Sequence, residues 1–304
     1  MRRWRPQASN NLLIAITLFL AAATSAAAIG STIAGTFDGP PESWQINLPV
    51  YGRLVLTLML ALAALALLYR VIAGATLVYD VDRNGVYIAN FWQKVTIPLH
   101  EIRDVSQGID GVSLPWGSAQ ALGHYWGAAA LPDATALYLF SSVPPEQSVI
   151  ITTGQGAYAI APGDLDAFVQ DIEQRRKLGV TKRLNQADVT FGWGLGGFVG
   201  DPHVQALLAL AGVVYVLGLG LIAWAYPSLP SQIDMRFDAT GETTGLLPRH
   251  FILYLPAVSL AVAAVNLVLG LLAYRWERLA SRVLQAATLI AQLLFALAVL
   301  AIIT

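Results

Sequence analysis

The sequence predicts an α-helical membrane protein of about five transmembrane helices, into which one α+β domain is inserted. That domain reads as a curved antiparallel sheet or barrel followed by a single C-terminal helix. Three observations lead there. Of 304 residues 56% are hydrophobic and 12% charged, with a mean hydropathy of +0.59, about half the charge of an ordinary soluble domain. The apolar excess is gathered into long blocks rather than spread along the chain. Between the second and third blocks the pattern changes to period-two alternation, the signature of strands.

A bilayer core about 30 Å thick needs about 20 apolar residues in helix. Leu12–Ile29, Val204–Trp224, Phe251–Ala273 and Val283–Ile303 come close to or meet that length with no Asp, Glu, Lys or Arg. Leu54–Tyr69 is shorter, but Arg53 and Arg70 at its ends can snorkel to opposite interfaces. Trp44, Tyr51, Tyr69, Trp224, Tyr226, Tyr254, Tyr274 and Trp276 mark span ends as an interfacial aromatic belt. The first block also reads as a cleavable signal peptide, since Arg2, Arg3 and Arg5 precede an apolar run ending in Ala-Thr-Ser-Ala-Ala-Ala. An uncleaved helix is the preferred reading, because a second span follows soon after Arg53.

Basic residues set the orientation. With the N-terminus inside, Arg2, Arg3, Arg5, Arg70, Arg275, Arg278 and Arg282 flank spans on the cytoplasmic side, leaving Arg53, Arg236 and Arg249 outside. The stretch from Arg70 to His203 is then cytoplasmic. The expected organisation is residues 1–74 as two spans with a short outer loop, 75–180 as the inserted domain, and 181–203 as a linker or interfacial segment. Residues 204–304 follow as a three-helix membrane module with an outer loop over 227–249.

Within the domain, Leu77, Tyr79 and Val81 alternate with Val78 and Asp80 up to Asp82-Arg83-Asn84-Gly85. Asn-Gly predicts a hairpin turn with positive φ angles, and Val86–Ala89 is the return strand. Val95, Ile97 and Leu99 alternate again, with Pro98 marking a strand end or edge. Thr135–Phe140, Ser148–Thr152 and Ala157–Ile160 are further strands. Leu165, Phe168, Val169 and Ile172 form one helical stripe over Leu165–Leu178. Asp164 is its expected N-cap and Gly179 its C′ residue, with Arg175, Arg176 and Lys177 in the last turn, where the helix dipole favours cations.

This order of elements, with the segments YDVDRNGVYIANFWQKVTIPLHEIRDV and SVIITTGQGAYAIAPGDLDAFVQDI, resembles the membrane-tethered bacterial pleckstrin-homology (PH) domain over about Thr76 to Lys177. The resemblance implies that fold and a bacterial plasma membrane. Downstream, YPSLPSQIDMRFDATGETTG resembles a small membrane module also found in immunity proteins against the sporulation-delaying toxin. Where that family has a proline and a histidine this chain has Asp234 and Arg236, so no histidine-based role carries over.

Several chemistries are excluded. The chain has no cysteine, which removes disulfides, thiolate metal sites and cysteine nucleophiles. None of Lys94, Lys177 and Lys182 follows a glycine, which removes a P-loop. A net charge of −1 provides no basic field for nucleic acid. Gly192–Gly197 matches G-x-G-x-x-G, but an apolar span follows where a dinucleotide site needs a βαβ unit. The four histidines share no ligand spacing, and Asp234, Asp238 and Glu242 read as solvated carboxylates. No cofactor is expected, and the spans lack the ionisable groups a transporter needs. Asn266, Gln285 and Gln292 read as span polar groups, with Asn266 and Gln292 as interhelical hydrogen-bond partners. Pro256 predicts a kink near the outer end of the fourth span.

Two features remain as contact sites. Across Arg70–His203 there are 9 Lys and Arg against 13 Asp and Glu, a balance of −4, so inositide binding at the first hairpin is disfavoured. Arg175, Arg176, Lys177, Lys182 and Arg183 form the one basic cluster, either against anionic lipid or solvated. The stretch Gln107–Asp133 reads as a long apolar loop carrying Leu114, Trp116, Tyr125 and Trp126, which either contacts the membrane or a partner, or packs over the sheet. The function expected is a non-enzymatic integral membrane scaffold or sensor. Its partners would be the bilayer and a protein bound at the cytoplasmic domain, with homo-oligomers compatible. The alternative is an immunity-like protein that captures an extracellular toxin or peptide through its C-terminal module.

Overall fold

A computed structural model describes residues 1–91, 93–112, 122–131, 135–190, 195–237 and 243–304. In chain order the elements are β1 (Arg2–Trp4), α1 (Asn10–Ala34), α2 (Leu48–Ala75), β2 (Val78–Val81), β3 (Gly85–Ala89), β4 (Gln93–Pro98), β5 (Ile102–Gln107), β6 (Tyr125–Ala130) and β7 (Ala136–Ser141). Then follow β8 (Val149–Thr153), β9 (Ala157–Ile160), α3 (Leu165–Leu178), β10 (Ala187–Thr190), α4 (Leu195–Gly200), α5 (Pro202–Ala225), β11 (Gln232–Phe237), β12 (Thr243–Pro248), α6 (Tyr254–Ala273) and α7 (Arg278–Ile303). Among the described residues, five helices are long and apolar enough to cross a membrane. The chain divides into two compact units, Met1–Ala23 with Ala61–Phe191, and Thr24–Leu60 with Gly192–Thr304.

The first unit holds two five-stranded sheets, ordered β1-β2-β3-β4-β10 and β5-β8-β9-β7-β6. Neighbouring strands are antiparallel except β7 and β9, which run parallel. The apolar sides of both sheets and of α3 meet in one core, built on Tyr79, Val86, Ile97, Ile151, Ile160 and Phe168. Tyr79 ties the sheets together: its hydroxyl donates to the Phe140 carbonyl at 2.6 Å and accepts from the Ala161 amide at 3.2 Å. Helix α3 begins and ends where the sequence expects it. Asp164 accepts from the Ala167 amide at 3.0 Å, and Gly179 takes a φ of 72° beyond the last turn.

In this unit three features depart from the sequence expectation. First, the sheet reaches beyond residues 75–180, because β1 and β10 add strands at its two edges. Arg2 pairs with Val81 and Trp4 with Tyr79. The Trp4 ring, 7% exposed, enters the core and meets Phe168 edge-on at 5.4 Å. Second, part of the expected Gln107–Asp133 loop is a strand, β6, paired along its length with β7. Its run of small residues, Gly127 to Ala130, carries little β-branched or aromatic signal, which is why periodicity reads it as loop. Third, Gly85 is not in the left-handed region. The turn is closed instead by Asp82, whose carboxylate accepts from the Asn84 and Gly85 amides at 2.7 and 2.9 Å. Glycine is required at 85 by close approach, since a Cβ there would stand 2.9 Å from the Ile97 carbonyl oxygen.

In the second unit α7 packs against both α5 and α6. Its buried positions Ser281, Gln285, Thr288, Gln292, Phe295 and Val299 recur at alternating four- and three-residue steps, the spacing of a helix-packing seam. Gln292 Nε2 donates to the Ser259 carbonyl at 3.2 Å, and the Ser259 hydroxyl donates back to Gln292 Oε1 at 2.5 Å. Gln285 Nε2 donates to the backbone carbonyl of Asn266 at 3.1 Å. The expected interhelical role of Gln292 is therefore seen, whereas residue 266 takes part through its carbonyl. Gly270 and Gly218 leave room for Gln285 and for the Phe295 ring, each of which a Cβ would strike. Pro256 lies in the first turn of α6, where its missing N–H has no intrahelical partner to lose, so the expected kink is replaced by a helix start.

Asp201, side chain 2% exposed, caps α5 by accepting from the His203 amide at 2.9 Å and binds Arg282 through Nε and Nη2 at 3.0 and 2.8 Å. Burial alone would raise its pKa; hydrogen bonds from Arg282 and from the His203 and Val204 amides outweigh it and hold the carboxyl at about 2.

Trp4→Ala is expected to lower the stability of the sheet domain by about 3–5 kcal/mol, measured as increased proteolysis of residues 75–190 in the full chain. Gly218→Val is expected to overpack the α5–α7 contact by about 1–3 kcal/mol. Thermal unfolding of the detergent-solubilised chain checks it, and an unchanged midpoint would contradict the close approach of Phe295 to α5.

Candidate functional site at the N-terminal segment

The residues leading into α1 are bound to the domain almost without a break. Beyond the β1–β2 ladder, the Gly163 amide donates to the Arg5 carbonyl at 2.9 Å and the Gln7 amide to the Ala161 carbonyl at 2.7 Å. The Ser142 hydroxyl donates to the Gln7 carbonyl at 2.8 Å, and the Gly123 amide to the Asn11 carbonyl at 3.1 Å. Arg3 forks onto Asp80 through Nε and Nη2 at 3.0 and 3.1 Å. Two-point pairing of this kind fixes geometry, though exposure of the arginine keeps its energetic value small.

The end of α2 is bound to the same surface. The Arg70 guanidinium donates to the carbonyls of Leu122 and His124, the latter at 2.7 Å. Its expected place at a span end thus carries a further task, holding the chain that leads into β6. Backbones meet closely here: a Cβ at Gly74 would stand 3.3 Å from the Gly123 carbonyl oxygen and 3.5 Å from His124 Nδ1. Gly123 itself has a φ of 90°, open to glycine at little strain.

Between these segments lies a pocket of about 790 Å³, with Arg3, Arg5, Gln7, Gly74, His124 and Ser142 among its walls and Leu12 and Leu13 along one side. His124 is 2% exposed, and neither ring nitrogen has a hydrogen-bond partner among the described residues. Burial, and then the charge of Arg70, lower its pKa to about 4, so the imidazole is neutral at pH 7 and offers one N–H. The Arg5 side chain is exposed, without an ion-pair partner among the described residues. Nothing in the sequence marks this pocket: Arg3 and Arg5 read as flanking charge and His124 as a lone histidine, and only the fold brings them together.

The expected contact residues are distributed differently. Leu114 and Trp116 lie outside the described residues, as do Gly192–Gly194, Asp238 and Glu242. Tyr125 is half-buried in β6; Trp126 is 39% exposed and meets Tyr69 of α2 at 6.2 Å between ring centroids, so it packs partly within the domain's own joint with the helix. Arg175 pairs with Asp171 at 2.9 Å, and Arg176 donates to the Ile102 carbonyl at 3.0 Å. Lys177, Lys182 and Arg183 are exposed. The first hairpin is engaged by the chain itself: Arg83 donates to the carbonyls of Leu178 and Gly179, both at 3.2 Å, and Asn84 Oδ1 accepts from the amides of Thr181 and Lys182. Those bonds cap α3 and occupy the hairpin's polar groups.

Compared with known proteins, residues 77–176 match the family model of the bacterial PH domain. The match begins at Leu77 and ends at Arg176, so β1 and β10 lie outside it. No curated protein and no solved structure matches the chain.

His124 makes the domain acid-sensitive. Its folded pKa of about 4 lies below the ordinary 6.5, so the folded state resists protonation. The associated stability, up to about 3 kcal/mol, is complete above pH 6.5 and is lost as pH falls from 6.5 to 4. Thermal unfolding of the wild-type chain across that window is expected to show the decline, and His124→Gln to flatten it.

Proposed function

We propose that this chain is a non-enzymatic integral membrane protein that holds its PH domain against the cytoplasmic face of a bacterial plasma membrane and presents it to a protein partner. The observation that carries the reading is the double attachment of the domain. β1 enters its sheet ahead of α1, and α2 runs into β2 within a few residues. Held so, the domain needs no lipid affinity of its own to stay at the membrane, which leaves its surfaces for other contacts. The outer edge of β6, last strand in its sheet, is the surface best suited to strand addition by a partner. The incorporation of Trp4 in the core also supports an uncleaved first helix, since cleavage would remove that strand.

The experiment is a quantitative pull-down from gently solubilised membranes. It compares the full chain with a variant lacking both Met1–Ala8 and Thr76–Lys177, because β1 has no sheet to join without the domain. A partner lost with the deletion supports the scaffold. A partner retained moves the function to the other helices and to the β11–β12 hairpin, the element an immunity-like capture of an extracellular peptide would use. Orientation is tested separately on the cysteine-free chain. Gln174→Cys, on an exposed face of α3, is expected to react with an impermeant thiol reagent only after cells are opened.

A further inference from the structure

We infer that the pocket between the N-terminal segment and the end of α2 binds the phosphate of an anionic phospholipid, held by Arg5, the outward side of Arg3 and the ring of His124. The inference rests on the membrane reading of α1 and α2. Four observations converge on it. Arg3 and Arg5 line the pocket and no carboxylate is among its lining residues; Arg3 is paired with Asp80, which leaves Arg5 as the cation without an ion-pair partner among the described residues. A cation is therefore repelled and an anion attracted. His124 is a buried polar ring with both nitrogens unpartnered, and a buried donor without an acceptor is costly enough to call for a ligand. Gln7 Oε1 is likewise buried without a partner, an acceptor suited to a headgroup hydroxyl.

The fourth observation separates a lipid from a soluble phosphate ester. One wall is apolar, formed by Leu12 and Leu13 in the first turn of α1, and Leu13 is 64% exposed. The pocket lies where two apolar helices begin and end, the level of the headgroup layer if those helices span. A phosphate seated among Arg5, Arg3 and His124 would direct its acyl chains along Leu12 and Leu13, down the outside of α1. A soluble phosphate would leave that wall unused. The exposed Lys177, Lys182 and Arg183 are not among the lining residues of this pocket.

The test uses the full chain in a neutral detergent with dioleoyl phosphatidylglycerol and dioleoyl phosphatidylcholine in equal amounts. Retained lipid is counted by native mass spectrometry. Wild type is expected to retain phosphatidylglycerol selectively, and Arg5→Gln, on the exposed rim, to weaken that retention about tenfold, the loss of one charge-assisted hydrogen bond. His124→Gln is expected to weaken it as well, and Lys182→Gln with Arg183→Gln to leave it unchanged. Equal retention of both lipids, or a loss confined to the Lys182 and Arg183 variant, overturns the inference. Displacement of phosphatidylglycerol by inorganic phosphate, with inorganic phosphate alone raising the unfolding temperature, overturns the lipid source. Carbonate extraction of membranes distinguishes the failures: a chain released by carbonate sinks the membrane reading itself, whereas an integral chain without lipid selectivity sinks only the site.

Discussion

The insertion of Trp4 and its strand into the sheet of the inserted domain is the constraint on which the first unit depends. A tryptophan ring buried against Phe168, with a continuous line of hydrogen bonds from Arg3 to Asn11, sets the start of α1 on the domain surface. The chain returns to that surface at Ala75, the end of α2. Residues on both sides of two long apolar helices are thus held in one folded body. If those helices cross a membrane, they must cross it as a pair, out and back. The pairing of β1 with β2 puts both ends of that pair on one side, as the arginine distribution also expects, without saying which side it is. One argument concerns the charge of loops, and the other the reach of a sheet.

The second unit solves a different problem. If these helices face lipid, no hydrophobic driving force selects one partner over another, so packing shape and polar bonds must do so. The α7 seam combines both. Small residues on the neighbouring helices admit a glutamine and a phenylalanine, and the reciprocal bonds between Gln292 and Ser259 fix one register of α6 against α7. At one end of the same helix the Asp201–Arg282 pair is tied into the cap of α5. Several weak polar devices along one face take the place of a large apolar difference.

The long apolar helices, the strands with β-branched residues, and α3 with both its caps were legible in the sequence because each rests on a local rule: run length, alternation, or capping chemistry. β1 was not, because three residues with two arginines carry no period, and their strand identity comes from a partner more than seventy residues away. β6 was hidden by its small side chains, and the true reason for Gly85 by a neighbour across the sheet. The basic cluster was legible as composition, yet Arg175 and Arg176 turn out to be engaged within the domain, as is Arg83 at the hairpin. Tertiary partners decide such cases. The pocket is the extreme example, since Arg3, Arg5 and Gln7 share one window of the chain while Gly74, His124 and Ser142 come from three others.

The position of β1 also orders the assembly of the protein in time. Arg2–Trp4 leave the ribosome before the strand they pair with, which is made only after both α1 and α2. These residues therefore wait, unpaired, through the synthesis of two apolar helices before they join the sheet. Closing so distant a contact is slow in chain-entropy terms, but a helical hairpin already inserted in a membrane would bring the two ends close and shorten the search. Membrane insertion would then act as a template for the domain, and completion of the sheet would in turn lock the hairpin against slipping back.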